Sequence, residues 1–324
     1  MRNIKNFFSS PLSFEADLVK LAEQINSLRK TSGGDSKLLD TISGLEKELF
    51  SKIENMYSSL TPIQKVELAR CPTRPHGVDY IKQLCPNFFE ITGDRAFGED
   101  RAIIAGLANF GGVATMVIAH EKGRDAESRK LHNFGMASPE GYKKAIRSFR
   151  LAEQLNLPVV CFVDTPGAYP GISSEERGQG YVLAECIAVA SEIKVPIISC
   201  LIGEGGSGGA VAISVANKVL MLEHSIYSVI SPEGCASILW KSKENKAEAA
   251  NAQKLTAQDL HKYGLIDEII PEPFGGAHRD PIAAIDAAGK AILQALYNYA
   301  ENKLPQNYYA EERQQKYLNY TIVA

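Results

Sequence analysis

The feature that most limits what this chain can fold into is a unit used twice. Pro158 opens PVVCFVDTPGAYPG and, about forty residues on, Pro196 opens PIISCLIGEGGSGG. Each copy starts with proline, continues as a short apolar strand, ends in a glycine-rich loop and leads into a helix-like segment. Strands that alternate with helices call for right-handed crossovers and a largely parallel sheet. Loops at the carboxyl ends of such strands are where ligands bind. Both glycine loops are therefore expected to open on the same edge of the fold.

The rest of the chain can be arranged around that unit. Phe14, Leu18, Leu21, Ile25 and Leu28 recur at helical spacing up to Gly33-Gly34, and Leu38, Ile42, Leu45, Leu49, Ile53, Met56 and Leu60 form a second stripe. This pair is either a hairpin packed on its own chain or a docking arm for another subunit. Thr61-Pro62-Ile63-Gln64 has the capping-box pattern with proline at the first helical position, so a short helix starts there and Cys71-Pro72 ends it. AIIAGLANF and VATMVIAH, split by Gly111-Gly112, predict a β-hairpin. SPEGYKKAIRSFRLAEQLN predicts a helix with Ser138 as cap and Pro139 just inside. KVLML, the surroundings of IYSVI, and LIDEII predict further strands, and a last long helix is expected from Pro281 to Asn302. The domain reading is a helical hairpin or docking region over 1–75, a main domain over 76–304 and a polar, peripheral tail over 305–324.

Composition excludes several classes. The chain has 324 residues, 45% apolar and 23% charged, enough for one large or two medium domains. A formal net charge of -3 supplies no field to hold nucleic acid or an anionic membrane. No stretch approaches the apolar length of a membrane span, and the N-terminus lacks the pattern of a signal peptide. None of the six cysteines is spaced as CxxC, and Cys161 and Cys200 sit inside apolar runs, so free packed thiols, no metal site and a cytoplasmic location are expected.

IGEGGSGGA, Ile202 to Ala210, admits three chemistries. Gly203-x-Gly205-x-x-Gly208 after a strand, with Glu223 twenty residues on, fits a dinucleotide fingerprint, although two strand units precede it. Gly205-Gly206-Ser207-Gly208-Gly209 fits a nucleophile elbow, with Asp267 and His278 downstream in hydrolase order. The third reading is an oxyanion hole, in which the adjacent N–H groups of Gly205 and Gly206 meet one oxygen at the start of a helix. Glycines that only permit tight packing are the plain alternative.

DTPGAYPG (164–171), IGEGGSGGA (202–210), YSVISPEGCASILW (227–240), RKLHNFGMASPEGYKKA (129–145) and IIPEPFGGAHRD (269–280) closely resemble the alpha-subunit family of bacterial and plastid acetyl-CoA carboxylase carboxyltransferase. The resemblance covers essentially the whole chain. It implies an α/β fold of the crotonase-like (ClpP/crotonase) kind, a spiral of ββα units with an N-terminal helical extension. It implies a carboxyltransferase that moves a carboxyl group from carboxybiotin, tethered to a biotin carboxyl carrier protein, to acetyl-CoA, giving malonyl-CoA for fatty acid synthesis. The implied partners are a beta subunit in an α2β2 heterotetramer, the carrier protein and biotin carboxylase, with zinc confined to beta. The family's alpha glycine pair faces the biotin oxygen, a role that falls here on Gly205 and Gly206. Gly167, Ala168, Tyr169 and Gly171 are expected to wall the biotin entrance, with Ser207 beside them as a helix-opening residue, and Asp164 is expected to orient backbone groups.

Other residues carry weaker signals. Lys122, Arg124, Arg129 and Lys130, then Lys143, Arg147 and Arg150, make a basic cluster, read as a solvated face or a contact for CoA phosphates or the partner. His120, His132 and His224 are read as packed or surface histidines. Gly178-Gln179-Gly180 departs from the family pattern at Gly180.

Overall fold

The computed structural model describes residues 7–8, 10–33, 35–301, 305 and 307–320. Its strands are β1 (Phe89–Glu90), β2 (Ile103–Phe110), β3 (Val113–His120), β4 (Val159–Thr165), β5 (Ile197–Gly206), β6 (Lys218–Leu222), β7 (Ile226–Ser228) and β8 (Glu268–Ile270). Its helices are α1 (Ala16–Thr31), α2 (Ser36–Ser58), α3 (Pro62–Ala69), α4 (Gly77–Leu84), α5 (Ala126–Leu131), α6 (Pro139–Gln154), α7 (Ile172–Glu176) and α8 (Gln179–Glu192). Six more follow: α9 (Ser207–Ser214), α10 (Pro232–Trp240), α11 (Lys246–Gln253), α12 (Ala257–Lys262), α13 (Pro281–Glu301) and α14 (Tyr308–Leu318).

Among the described residues the strands form one sheet in the order β1-β2-β3-β4-β5-β6-β8, with β7 also paired to β5. The predicted hairpin is β2 and β3, in register from Ile103↔His120 to Phe110↔Val113, and Gly111 and Gly112 turn it at φ 57° and 95°. From β3 onward every strand-to-strand ladder is parallel, and Ile226 of β7 adds a single antiparallel bridge to Thr256. β4 is buried along its whole length, because helices cover both faces of the sheet. Val159, Cys161 and Val163 face α6, α8 and α9, while Val160 and Phe162 face α4 and α13. The alternation is the period of two that a strand imposes. No described helix is long and apolar enough to cross a membrane.

The N-terminal stripes become α1 and α2, closed on each other through Leu18, Ile25, Ile42, Leu49 and Ile53. The pair packs on its own chain. Buried Glu15 bonds Arg279 at 2.5 Å and accepts the Tyr57 hydroxyl at 2.8 Å, and Phe50 stacks obliquely on Phe274. α3 starts on the Thr61–Gln64 capping box as expected.

The tail differs from its expected peripheral role. Residues 308–318 form α14, and Arg313 is fully buried within it. Its guanidinium donates to the carbonyls of Ile193 and Val195, which lie just past the end of α8. Tyr317 accepts from the Ala216 N–H at 3.0 Å and donates to the Ser214 carbonyl at 3.2 Å. Polar composition hid this, because long polar side chains here answer the carbonyls and amides that helix ends leave unpaired. Asn302, the expected end of the long helix, and the last four residues lie outside the described set.

Candidate functional site

The two glycine loops do meet. β4 and β5 run in register to Val163↔Leu201 and then slip to Thr165↔Gly205, so β5 bulges opposite Asp164. A parallel pairing centred on Gly205 would need an N–H from residue 166, which is proline. The pairing must therefore be centred on Thr165, which takes up the N–H of Gly206. On the other edge Gly205 lies opposite Tyr227. Tyr227 turns its own N–H away to the Leu255 carbonyl at 3.0 Å, which leaves Ile226 and Ser228 to bond the Gly205 peptide group. The expected donor pair, Gly205 and Gly206, thus sits inside the sheet ladder, and Gly206 is at the same time the N-cap of α9. A strand that runs on through Gly206 is the physical reason.

Glycine at 206 is needed for close approach. A Cβ there would lie 2.2 Å from the Pro166 carbonyl oxygen, and one at Gly209 would lie 2.5 Å from the Gly167 carbonyl carbon. Gly208 is freer, since a Cβ would meet only the Leu183 side chain, at 3.0 Å. Both Gly208 and Gly209 belong to the first turn of α9. Their N–H groups have no acceptor four residues back, and no side chain caps the helix. Ser207 makes the strand-to-helix corner, exposed and at φ 51°, a left-handed conformation that costs about 1 kcal/mol in a non-glycine residue.

The facing loop is held from behind. The Thr165 hydroxyl donates to the Gly167 carbonyl at 2.8 Å and accepts its N–H at 3.1 Å. The Tyr169 N–H donates to the Ala137 carbonyl, and buried Gln179 donates from Nε2 to the carbonyls of Ala137 and Tyr169 at 2.8 and 3.3 Å. Gly167 is buried, while Ala168, Tyr169 and Gly171 are half-buried; Gly171 leaves room for the Tyr169 ring, 2.3 Å from where its Cβ would be. Gln179 thus braces this loop from behind, which the Gly178-Gln179-Gly180 pattern does not reveal; a Cβ at Gly180, beside it, would stand in open space.

A cavity of about 320 Å³ begins at Ser207 and Gly208 and continues along Val211, Tyr227, Leu265 and Tyr317. No histidine lines it. The hydrolase set is not assembled: Asp267 is engaged by the Val219 N–H and by Lys316, and His278 lies elsewhere, against Gly276, its pKa lowered to about 3 by burial and by Arg279. Glu223, the residue a ribose would need, accepts the Glu272 N–H instead. His120 is fully buried, which lowers it to about 3 and keeps it neutral. Among the described residues no cluster of His, Cys, Asp or Glu is placed to hold a metal ion.

The basic cluster divides. Lys122 pairs with Asp164 at 2.6 Å, Arg124 with Asp79, Lys143 with Asp94 at 3.9 Å and Arg150 with Glu185 at 3.2 Å, and Arg147 donates to the Thr92 carbonyl. Exposed apolar side chains instead ring the glycine loops: Ile172 is 81%, Tyr181 75% and Val229 83% exposed.

Residues 11–321 match the family described as Acetyl co-enzyme A carboxylase carboxyltransferase-like. The chain is 52% identical to an acetyl-coenzyme A carboxylase carboxyl transferase subunit alpha from Rhodospirillum centenum, over 90% of this chain and 92% of that protein. It is also 52% identical to the protein of the same name from Zymomonas mobilis, over 89% and 92%. Among solved structures it is similar to transcarboxylase 12S with methylmalonyl-coenzyme A bound (TM-score 0.59, 20% identity, 72% of this chain and 43% of that one). It is likewise similar to a chain of a Pseudomonas malonate decarboxylase hetero-tetramer in complex with coenzyme A (TM-score 0.58, 16% identity, 73% and 91%).

Proposed function

This chain belongs to the acetyl co-enzyme A carboxylase carboxyltransferase-like family and shares the crotonase-like fold of its structural neighbours; from that premise we propose that it is the alpha half of a carboxyltransferase, active with a beta subunit. The reaction moves a carboxyl group from carboxybiotin on a carrier protein to the methyl carbon of acetyl-CoA and yields malonyl-CoA. Carboxybiotin supplies the carboxyl group and, once relieved of it, a nitrogen that takes the acetyl proton. A carbon–nitrogen bond breaks, a carbon–carbon bond forms and no covalent nucleophile is needed.

The task left to this chain is to meet the charge that gathers on the ureido oxygen. The observation that carries the reading is the start of α9, where the Gly208 and Gly209 amides are used by neither the helix nor a cap. We assign the donor role to these amides, one step along from Gly205 and Gly206. Gly205 and Gly206 fix the strand end, and Gly167, Ala168, Tyr169 and Gly171 form the opposing wall. The helix end adds partial positive charge, and one such donor is worth about 3 kcal/mol, or roughly 10²–10³ in rate. The charge on the thioester oxygen is left to the beta subunit, which in this reading also carries the zinc. The apolar ring of Ile172, Tyr181 and Val229 favours a partner on this face. The carboxyltransferase in this reading is α2β2, and biotin carboxylase and the carrier protein are its separate partners.

The test is reconstitution. Mixed with a zinc-ribbon beta subunit, the chain is expected to form malonyl-CoA from carboxybiotin and acetyl-CoA, and to form none alone; activity of the lone chain would refute the reading. Gly208→Ala is the sharper variant. Its methyl meets only a flexible leucine, so the complex is expected to assemble, while the bulk added beside the donor amide is expected to lower turnover. Gly206→Val, which collides with the Pro166 carbonyl, is expected to disturb the fold itself.

A further inference from the structure

A strand whose register has just slipped needs something to hold its end, and the groups that do so come from three distant segments. Glu204, inside the bulge, donates its N–H to Asp164 Oδ1 at 2.8 Å, and the same oxygen receives Lys122 Nζ at 2.6 Å. Glu204 is 6% exposed. Its Oε1 accepts from Arg70 Nε at 2.9 Å and Nη2 at 2.7 Å, and Lys122 Nζ stands 3.7 Å from its Oε2. The remaining arm of the guanidinium, Nη1, donates to both oxygens of Glu233, at 3.0 and 3.2 Å, in the first turn of α10. Burial works against the Arg70 charge, yet the Glu204 and Glu233 carboxylates outweigh it and hold its pKa above the ordinary value.

Arg70 is not part of the sheet. It caps α3, in the helical N-terminal region, and reaches across to the strand that carries the glycines. Two cations, Arg70 and Lys122, bridge three carboxylates, Asp164, Glu204 and Glu233, one negative charge more than they neutralise. Such partly buried ionic groups add little net stability compared with apolar packing, but they fix geometry. Without the guanidinium, Glu204 is left with Lys122, 3.7 Å away and already paired with Asp164, and the repulsion between the two carboxylates acts directly on the bulge that aims the strand into α9.

We propose that Arg70 is a positioning residue for carboxyl transfer: by clamping Glu204 and Glu233 it fixes the strand-to-helix junction that presents the Gly208 and Gly209 amides. The inference rests on the functional reading above, and the N-terminal helices thereby serve the reaction as well as the fold.

The experiment uses the full chain with its beta partner and the variants Arg70→Gln, Arg70→Lys and Arg70→Gln combined with Glu204→Gln. Carboxyl-transfer kinetics are read beside amide hydrogen exchange of the segment 202–210. Arg70→Gln is expected to lower kcat roughly ten- to a hundredfold, with KM for acetyl-CoA within about twofold, and to speed exchange in that segment and not across the sheet. Arg70→Lys, which keeps the charge but loses the fork, is expected to fall between. Adding Glu204→Gln removes the unpaired carboxylate and is expected to restore part of kcat. An unchanged kcat, or a loss accompanied by faster exchange throughout the chain, would overturn the proposal. Should Arg70→Gln not fold, Arg70→Lys carries the same two readouts. A wild-type complex without carboxyl transfer would instead defeat the functional reading, and the exchange measurement would still decide whether Arg70 holds the junction.

Discussion

Two arginines leave the same stretch of chain after α3 and grip the same strand in different ways. Arg74 is sealed: its side chain is 2% exposed and that of its partner Glu272 is 0%. Its fork meets both Glu272 oxygens at 2.8 and 2.9 Å, and two of its nitrogens also reach the Ile202 carbonyl. Arg70 grips Glu204 two residues further along, with its side chain 32% exposed beside the glycine loops. The first grip lies where water cannot replace it, so its loss is a stability event. The second lies where water can enter, so its loss is mainly a loss of alignment.

That contrast can be broken experimentally, starting where the effect is largest. Arg74→Leu leaves Glu272 charged and buried, and is expected to cost about 3–5 kcal/mol in urea unfolding; a loss no greater than that of Arg70→Gln would erase the distinction. Acid sharpens it. Burial alone would raise Glu272, but Arg74 and His224 prevail and hold it down at about 2, against an ordinary 4.5. The sign follows: a carboxyl depressed in the folded state stabilises fully above its unfolded value and loses that contribution as pH falls from about 4.5 toward 2. Glu272→Gln is therefore expected to flatten the stability profile in that window, and an unaltered acid limb would count against the sealed pair. The half-buried grip should cost less than the sealed one, with Arg70→Gln losing about 1–3 kcal/mol in the same unfolding experiment because Glu204 stays buried. Tyr317→Phe, which removes the bonds of α14 to Ser214 and Ala216, is expected to cost about 1 kcal/mol. The smallest effect belongs to Ser207→Ala. Its exposed hydroxyl has no base beside it, so carboxyl transfer should stay within about twofold; abolished turnover would bring back the nucleophile reading.

Much of this architecture could be read from local signals. The Thr61–Gln64 box, Pro139 inside its helix, the Gly111-Gly112 turn and the apolar runs of β4 and β5 each act through neighbours a few residues away, and each appears where expected. The tail was misjudged because Arg313 and Tyr317 look like solvent-facing residues until the ends of α8 and α9 lie beneath them. Lys122 was grouped with other basic residues, when its partner is Asp164 on the next strand.

The sequence by itself determined the strand–loop–helix units, their parallel order and the family, because propensity, capping and long motifs are written in contiguous residues. Tertiary structure alone decided which amides of the glycine stretch are open. Pro166 has no N–H to give, so in the Thr165↔Gly205 pairing the Thr165 carbonyl must accept the Gly206 N–H, and that constraint exists only once β4 and β5 lie side by side.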